Sequence, residues 1–122
     1  MQNPVSWFEI ATKDLARAKK FYAEVFGGDF QHIDMPDAQM EMFAGGPEGI
    51  GAVGALVQSG HQTPSPEGAL LYFECADVAV EAAKVEAAGG KLLLDKTSVG
   101  PFGFIAQFMD TEGNRVGLHS HQ

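Results

Sequence analysis

Trp7-Phe8-Glu9-Ile10 with Asp14-Leu15 behind it, and Leu70-Leu71-Tyr72-Phe73 with Asp77-Val78 behind it, are two versions of one pattern. In each, a short strand-like run is followed four residues later by an Asp, then by an amphipathic helix and a Gly-Gly pair, Gly27-Gly28 and Gly89-Gly90. A repeat that fills half the chain each time implies two similar modules.

Residues 5–11 read as a strand, with Phe8 and Ile10 on one face and Trp7 and Glu9 on the other. Asp14 caps a helix running to about Phe26, and Gly27 stops it. Leu15, Ala18, Tyr22 and Val25 share its inward face. Strands are expected at about 29–35, 38–44 and 51–58, with Pro36-Asp37 turning between the first two and Gly45-Gly46-Pro47 breaking before the third. The strip from Ser59 to Gly68, with Pro64 and Pro66, is linker-like.

The second half repeats the order. A strand is expected over 69–75, a helix from Asp77 to Gly89 burying Val78, Ala82 and Val85, and strands near 91–95, 102–109 and 115–119. Thr111-Glu112-Gly113-Asn114 is a turn between the last two. The expected fold class is α+β: two paired βαβββ modules in one domain over 1–122, module one at about 1–60 and module two at about 67–122. One helix covers one face of each sheet. The other face is left for the sister module, which gives a curved mixed sheet with a central trough.

Composition narrows the partners. The chain has 122 residues, 45% of them hydrophobic and 20% charged, with a net charge of -8. Nucleic acid and anionic membrane surfaces both call for clustered Lys and Arg, so neither is expected. Cys75 is the single cysteine, which rules out an internal disulfide and fits a reducing compartment. Met1-Gln2-Asn3-Pro4 lacks the basic and apolar regions of a signal peptide, and no apolar run nears the ~20 residues that cross a bilayer. A cytoplasmic location is expected.

Ile10-Ala-Thr-Lys-Asp14-Leu15 leading to Phe21-Tyr22, the helix end Glu86-Ala-Ala-Gly-Gly90, and Phe108-Met-Asp110-Thr-Glu-Gly-Asn114 together resemble the vicinal oxygen chelate superfamily. That superfamily includes glyoxalases, bleomycin resistance proteins and extradiol dioxygenases. The last segment is similar to the family's Asp-Pro-Asp/Glu-Gly-Asn turn, with Thr111 in place of proline. More narrowly, the chain resembles a branch described as related to lactoylglutathione lyase. The fold hosts many reactions, so the resemblance speaks for architecture before chemistry.

In metal-dependent members of that family, a His or Gln stands seven residues before the helix-starting Asp, and a Glu stands on the last strand of a module. The resemblance puts Trp7, Leu70 and Gly117 at such positions here, and between Gly49 and Pro66 there is no Asp or Glu. Indole, isobutyl and hydrogen offer a cation no donor. No metal is therefore expected at the family positions, with a divalent ion at shifted positions as the alternative.

Strand alternation puts Trp7 and Glu9, then Leu70, Tyr72 and Glu74, then Arg115, Gly117 and His119 on the trough side. This lining suits a small molecule with an apolar body and a polar handle. Trp7 is either a stacking platform or a space-filling core aromatic. Tyr72 bonds either a ligand or a backbone carbonyl. Glu9 and Glu74 are candidate acid or base groups; otherwise they are solvated or paired with Arg115. A displaced metal site would draw on Glu9, Glu74 and His119. His32 and His61 read as surface residues, His121 as a frayed end, and Cys75 as an inert buried thiol. The loop Val99 to Phe104 either covers the trough or packs at a subunit contact.

Three functions remain open. The first is a metal-free small-molecule binding protein without true glyoxalase activity. The second is a lyase or isomerase using Glu9 or Glu74, or a shifted metal. The third is a structural or regulatory dimer with a packed trough. The resemblance also implies a homodimer.

Overall fold

The computed structural model describes residues 4–44 and 51–122. The Gly45-Gly46-Pro47 break lies outside the described residues. Strand β1 (Trp7–Ala11) leads into helix α1 (Leu15–Phe26), then β2 (Phe30–Met35), β3 (Ala38–Phe43) and β4 (Val53–Ser59). The second module runs β5 (Tyr72–Glu74), α2 (Val78–Ala82), β6 (Lys91–Ser98), a 3-10 turn at Gly100–Phe102, β7 (Phe104–Met109) and β8 (Arg115–Ser120). The two sheets have the same order, β1-β4-β3-β2 and β5-β8-β7-β6. In each, the first strand pairs parallel with the last, and the other pairs are antiparallel. This is the expected pair of βαβββ modules.

Local chemistry accounts for α1. The Asp14 carboxylate accepts from the Arg17 amide at 3.0 Å, and Gly27 ends the helix at φ 74°. Leu15, Ala18, Tyr22 and Val25 are buried as the spacing requires, and Phe21 joins them. Helix α2 departs from expectation. It stops at Ala82, and the chain winds on with bonds from Lys84 N to Glu81 O and from Val85 N to Ala82 O. Those bonds span three residues, and in such a winding side chains three apart eclipse. Val85 therefore comes over Ala82, so the buried stripe Val78-Ala82-Val85 survives although the α-helix does not.

Strand β5 is also shorter than expected. Gly117 N–H donates to the Leu71 carbonyl at 2.7 Å, and Leu70 falls outside the ladder. Strand β6 runs longer, to Ser98, through two register shifts. Strand β7 starts later because Gly103, at φ 104°, closes the 3-10 turn.

The modules meet on their helix-bearing sides, through α1 and through strand residues that face it, rather than through the helix-free faces. Phe21 meets Phe108 at 5.6 Å between centroids, Phe26 meets Phe73 at 4.7 Å, and Phe8 meets Phe73 at 5.8 Å. Tyr22 donates its phenol proton to Asp110 at 2.7 Å inside this core. Burial, then the Asp110 charge, pushes the Tyr22 phenol well above its ordinary pKa. The helix-free faces stay open to solvent: Trp7, Leu70 and Tyr72 are 41%, 37% and 44% exposed. Among the described residues, no helix is long and apolar enough to cross a membrane.

Candidate functional site

Alternation along β1 sends Ile10 into the core and leaves Trp7 and Glu9 on the open face. The Trp7 indole N–H donates to Glu9 at 3.2 Å, and the Gln62 amide donates to the other Glu9 oxygen at 2.8 Å. Ala55 stands beside Glu9 in register on β4. It offers a cation nothing.

On the second sheet, Tyr72 registers with Gly117, and Glu74 with His119. The Tyr72 ring lies over Gly117, and a Cβ added at 117 would overlap it. The Tyr72 hydroxyl accepts from Gln107 Nε2 at 2.8 Å, and Arg115 Nη1 donates to Gln107 Oε1 at 3.0 Å. Arg115 thus gives one N–H to an amide, and among the described residues no ion pair joins it to Glu9 or Glu74. Leu70 stands outside the strand and half exposed.

Glu74 takes a different partner. Its Oε1 accepts from His119 Nδ1 at 2.6 Å, and His119 Nε2 donates to the Phe102 carbonyl at 2.6 Å. Both acceptors favour the imidazolium, the Glu74 carboxylate first, so the His119 pKa lies above its usual 6.5. His121, expected as a frayed end, instead brings Nε2 within 3.5 Å of Glu74 Oε2. The Phe102 side chain is 73% exposed beside them.

The residues expected on one trough thus fall into three groups: Trp7 with Glu9, Tyr72 with Gly117 and Arg115, and Glu74 with His119. Among the described residues, no hydrogen bond links the first group to the other two. Among the described residues, Glu9 is not one of the donors within ion-sharing distance of Glu74 and His119, the two with which a displaced metal site would combine it.

A cavity of about 590 Å³ opens where the modules meet. Phe8, Phe26, Phe30, Phe43 and Phe73 line it, with Leu71, Tyr72 and Glu74. Two of the residues expected at the site, Tyr72 and Glu74, are thus part of its wall. The strand parity that placed Phe8 and Phe73 toward the helices was the available signal. It says that these rings point inward, not that they leave space between them.

Other titratable groups have structural partners. His32 bonds Glu41 and Asp34, and these carboxylates, Glu41 first, raise its pKa. Cys75 is buried, and that burial, then the charges of Glu81 and Glu74, pushes its thiol up to about 12.

The superfamily's metal does not fit the positions that correspond to its ligands. Trp7, Leu70 and Gly117 carry no donor, and the space above Gly117 is filled by the Tyr72 ring.

The family model of the Glyoxalase/Bleomycin resistance protein/Dioxygenase superfamily matches residues 5–118. A glyoxylase-like domain-containing protein from Didymella fabae is 34% identical over 118 residues, covering 93% of this chain and 91% of that one. Among solved structures, the E144Q variant of glyoxalase I from Zea mays aligns with a TM-score of 0.76 at 26% identity. That match covers 97% of this chain and 47% of the maize protein, so this chain spans about half its length. A glyoxylase/bleomycin resistance protein/dioxygenase domain from Frankia sp. EAN1pec aligns over 100% of both chains, with a TM-score of 0.72 at 16% identity. The last likeness speaks for the fold alone.

Proposed function

The chain belongs to the Glyoxalase/Bleomycin resistance protein/Dioxygenase superfamily, and we propose that within it this protein binds a small molecule without the superfamily's metal cage. The observation that carries the reading is the cavity at the module junction. Its 590 Å³ lies within the usual range for small-ligand sites of roughly 300–1,000 Å³, and five phenylalanine rings line it. Such a lining takes up the apolar body of a ligand, while Tyr72 and Glu74 supply the polar handle. Carboxylates of Asp29 and Glu74 among its walls favour a neutral or cationic ligand over an anion.

True glyoxalase activity is not part of this reading, because Trp7, Leu70 and Gly117 replace the donors that such chemistry coordinates. A lyase or isomerase is the second reading. It rests on the 2.6 Å Glu74–His119 contact, a carboxylate–imidazole pair able to relay a proton. A homodimer completes the proposal. It is supported by the exposure of the large apolar side chains Trp7, Leu70, Tyr72 and Phe102, which a second copy would cover.

The test uses the neutral fluorescent probe N-phenyl-1-naphthylamine in buffer containing EDTA. Saturable binding of one probe per chain is expected, together with its loss in Ala52→Trp, which fills the cavity from its wall. Binding that needs a metal, or that Ala52→Trp leaves intact, refutes the reading.

A further inference from the structure

Among the described residues, a cluster at the end of β8 and on β5, outside the family's ligand positions, has the donors and the geometry for a cation. We propose that Glu74, His119 and His121 form a binding site for one borderline divalent ion such as Zn²⁺, Co²⁺ or Ni²⁺. One donor atom from each of the three lies within 4.8 Å of the others. Glu74 and His119 are cross-strand neighbours on β5 and β8, and His121 follows His119 by two residues, just past the end of β8 at Ser120. His119 Nδ1 is 2.6 Å from Glu74 Oε1, and His121 Nε2 is 3.5 Å from Glu74 Oε2. Ligand atoms around tetrahedral zinc, with bonds of about 2.0–2.2 Å, stand roughly 3.4 Å apart. The three groups therefore need only small rotamer shifts to close on an ion.

A second observation, independent of the cluster, bears on His119. Its Nε2 lies 2.6 Å from the Phe102 carbonyl. A carbonyl only accepts, so the proton stands on Nε2, and the nitrogen left to coordinate is Nδ1, the one that faces Glu74. Metal-binding histidines are oriented in this manner, by a backbone carbonyl holding the remote N–H. The carbonyl is itself fixed from another element. Gly103 N donates to Gly100 O at 3.2 Å, and Val99 N donates to Gly103 O at 2.9 Å, which locks the 3-10 turn.

The donor set selects the metal class. Two imidazoles and a carboxylate suit borderline ions, whereas Ca²⁺ and Mg²⁺ prefer all-oxygen shells. Three protein ligands leave a coordination position for water or a small molecule. The cluster begins one pleat along from the Tyr72–Gly117 pair, so it is distinct from the family's cage. Glu74 also lines the aromatic cavity, which puts the ion at the wall of the ligand site. On binding, the ion replaces the proton on His119 Nδ1, which passes to solvent. No redox change is involved.

Calorimetric titration of EDTA-dialysed protein with Zn²⁺ alone, and the visible absorption of its Co²⁺ form, test the site. One ion per chain is expected, with affinity rising with pH as Nδ1 gives up its proton. Glu74→Gln, His119→Ala and His121→Ala should each weaken binding at least ~10-fold. His32→Ala and His61→Ala, elsewhere on the surface, should leave it unchanged. The His121 side chain is 79% exposed, so His121→Ala tests the site even if His119→Ala disturbs the turn. No binding below millimolar Zn²⁺, or binding that survives in the His119→Ala/His121→Ala double variant, overturns the site. Either result with N-phenyl-1-naphthylamine binding intact refutes the cation site alone. Zn²⁺ binding without probe binding supports the site and refutes the cavity reading.

Discussion

Replacing Glu112 by Gln is expected to destabilise the protein in a pH-dependent manner. The Glu112 side chain is fully buried where the two modules meet. One of its oxygens accepts from the Lys13 and Asp14 amides at 2.8 Å each, and the Arg17 guanidinium contacts both oxygens at 2.8 and 3.1 Å. Thr111 donates its hydroxyl at 2.9 Å. Burial by itself raises a carboxyl pKa, but Arg17, the Asp14 amide, Thr111 and the Lys13 amide outweigh it and hold Glu112 at about 2. Against an ordinary value of 4.5, that corresponds to roughly 3 kcal/mol at neutral pH. The folded value lies below the unfolded one. The contribution is therefore complete above pH 4.5 and is lost as pH falls from there toward 2. Gln keeps the shape and removes the charge, and Arg17 is exposed enough to be solvated when its partner goes. Urea unfolding at pH 7 should show Glu112→Gln about 2–4 kcal/mol less stable than the parent. At pH 3 the gap should narrow by about 2 kcal/mol, because the parent has lost most of the same contribution. A gap below about 1 kcal/mol at pH 7, or one unchanged at pH 3, refutes the argument that this carboxylate clamps the modules through its charge.

Two further outcomes are expected. Gly117→Ala puts a methyl group into the Tyr72 ring, so thermal unfolding should show a loss of about 1–3 kcal/mol that largely disappears in the Tyr72→Ala background. An additive double-mutant cycle would deny that Tyr72 fills this space. The Cys75 thiol, held up to about 12 and buried, should resist Ellman's reagent at pH 8 in the folded state and react at once in urea. Rapid labelling of folded protein would contradict its burial.

Much of the architecture was legible because it rests on local rules. The Asp caps, the helical stripes and the two-residue alternation each identify their element without knowledge of the rest of the chain. Thr111 to Asn114 shows where that reading stops. The sequence marks a turn there, but its role is a long-range clamp. Glu112 binds the start of α1, Asp110 binds Tyr22, and Asn114 Nδ2 donates to the Ala11 carbonyl at 2.9 Å. No local pattern encodes contacts made about a hundred residues away. The candidate site was divided in the same way. Parity placed Trp7, Glu9, Tyr72, Glu74 and His119 on helix-free faces, where the structure has them. It could not say that the modules join through the aromatic rings on their helix-bearing sides, Phe8 and Phe26 against Phe73 and Phe21 against Phe108. His121 was missed because a side chain near the end of the sequence looks unconstrained until Glu74 is seen beside it.

The Tyr72–Gly117 pair also restricts how this sequence can change over evolutionary time. Any mutation at 117 that adds a side chain meets the phenol ring first, so a carboxylate there becomes tolerable only after 72 has shrunk or turned away. Neither step alone creates a cage: a smaller residue at 72 leaves glycine beneath it, and an acid at 117 arrives with a steric penalty. A lineage carrying both residues therefore reaches the carboxylate in a fixed order, 72 before 117. Histidines on the neighbouring pleat face no such obstacle.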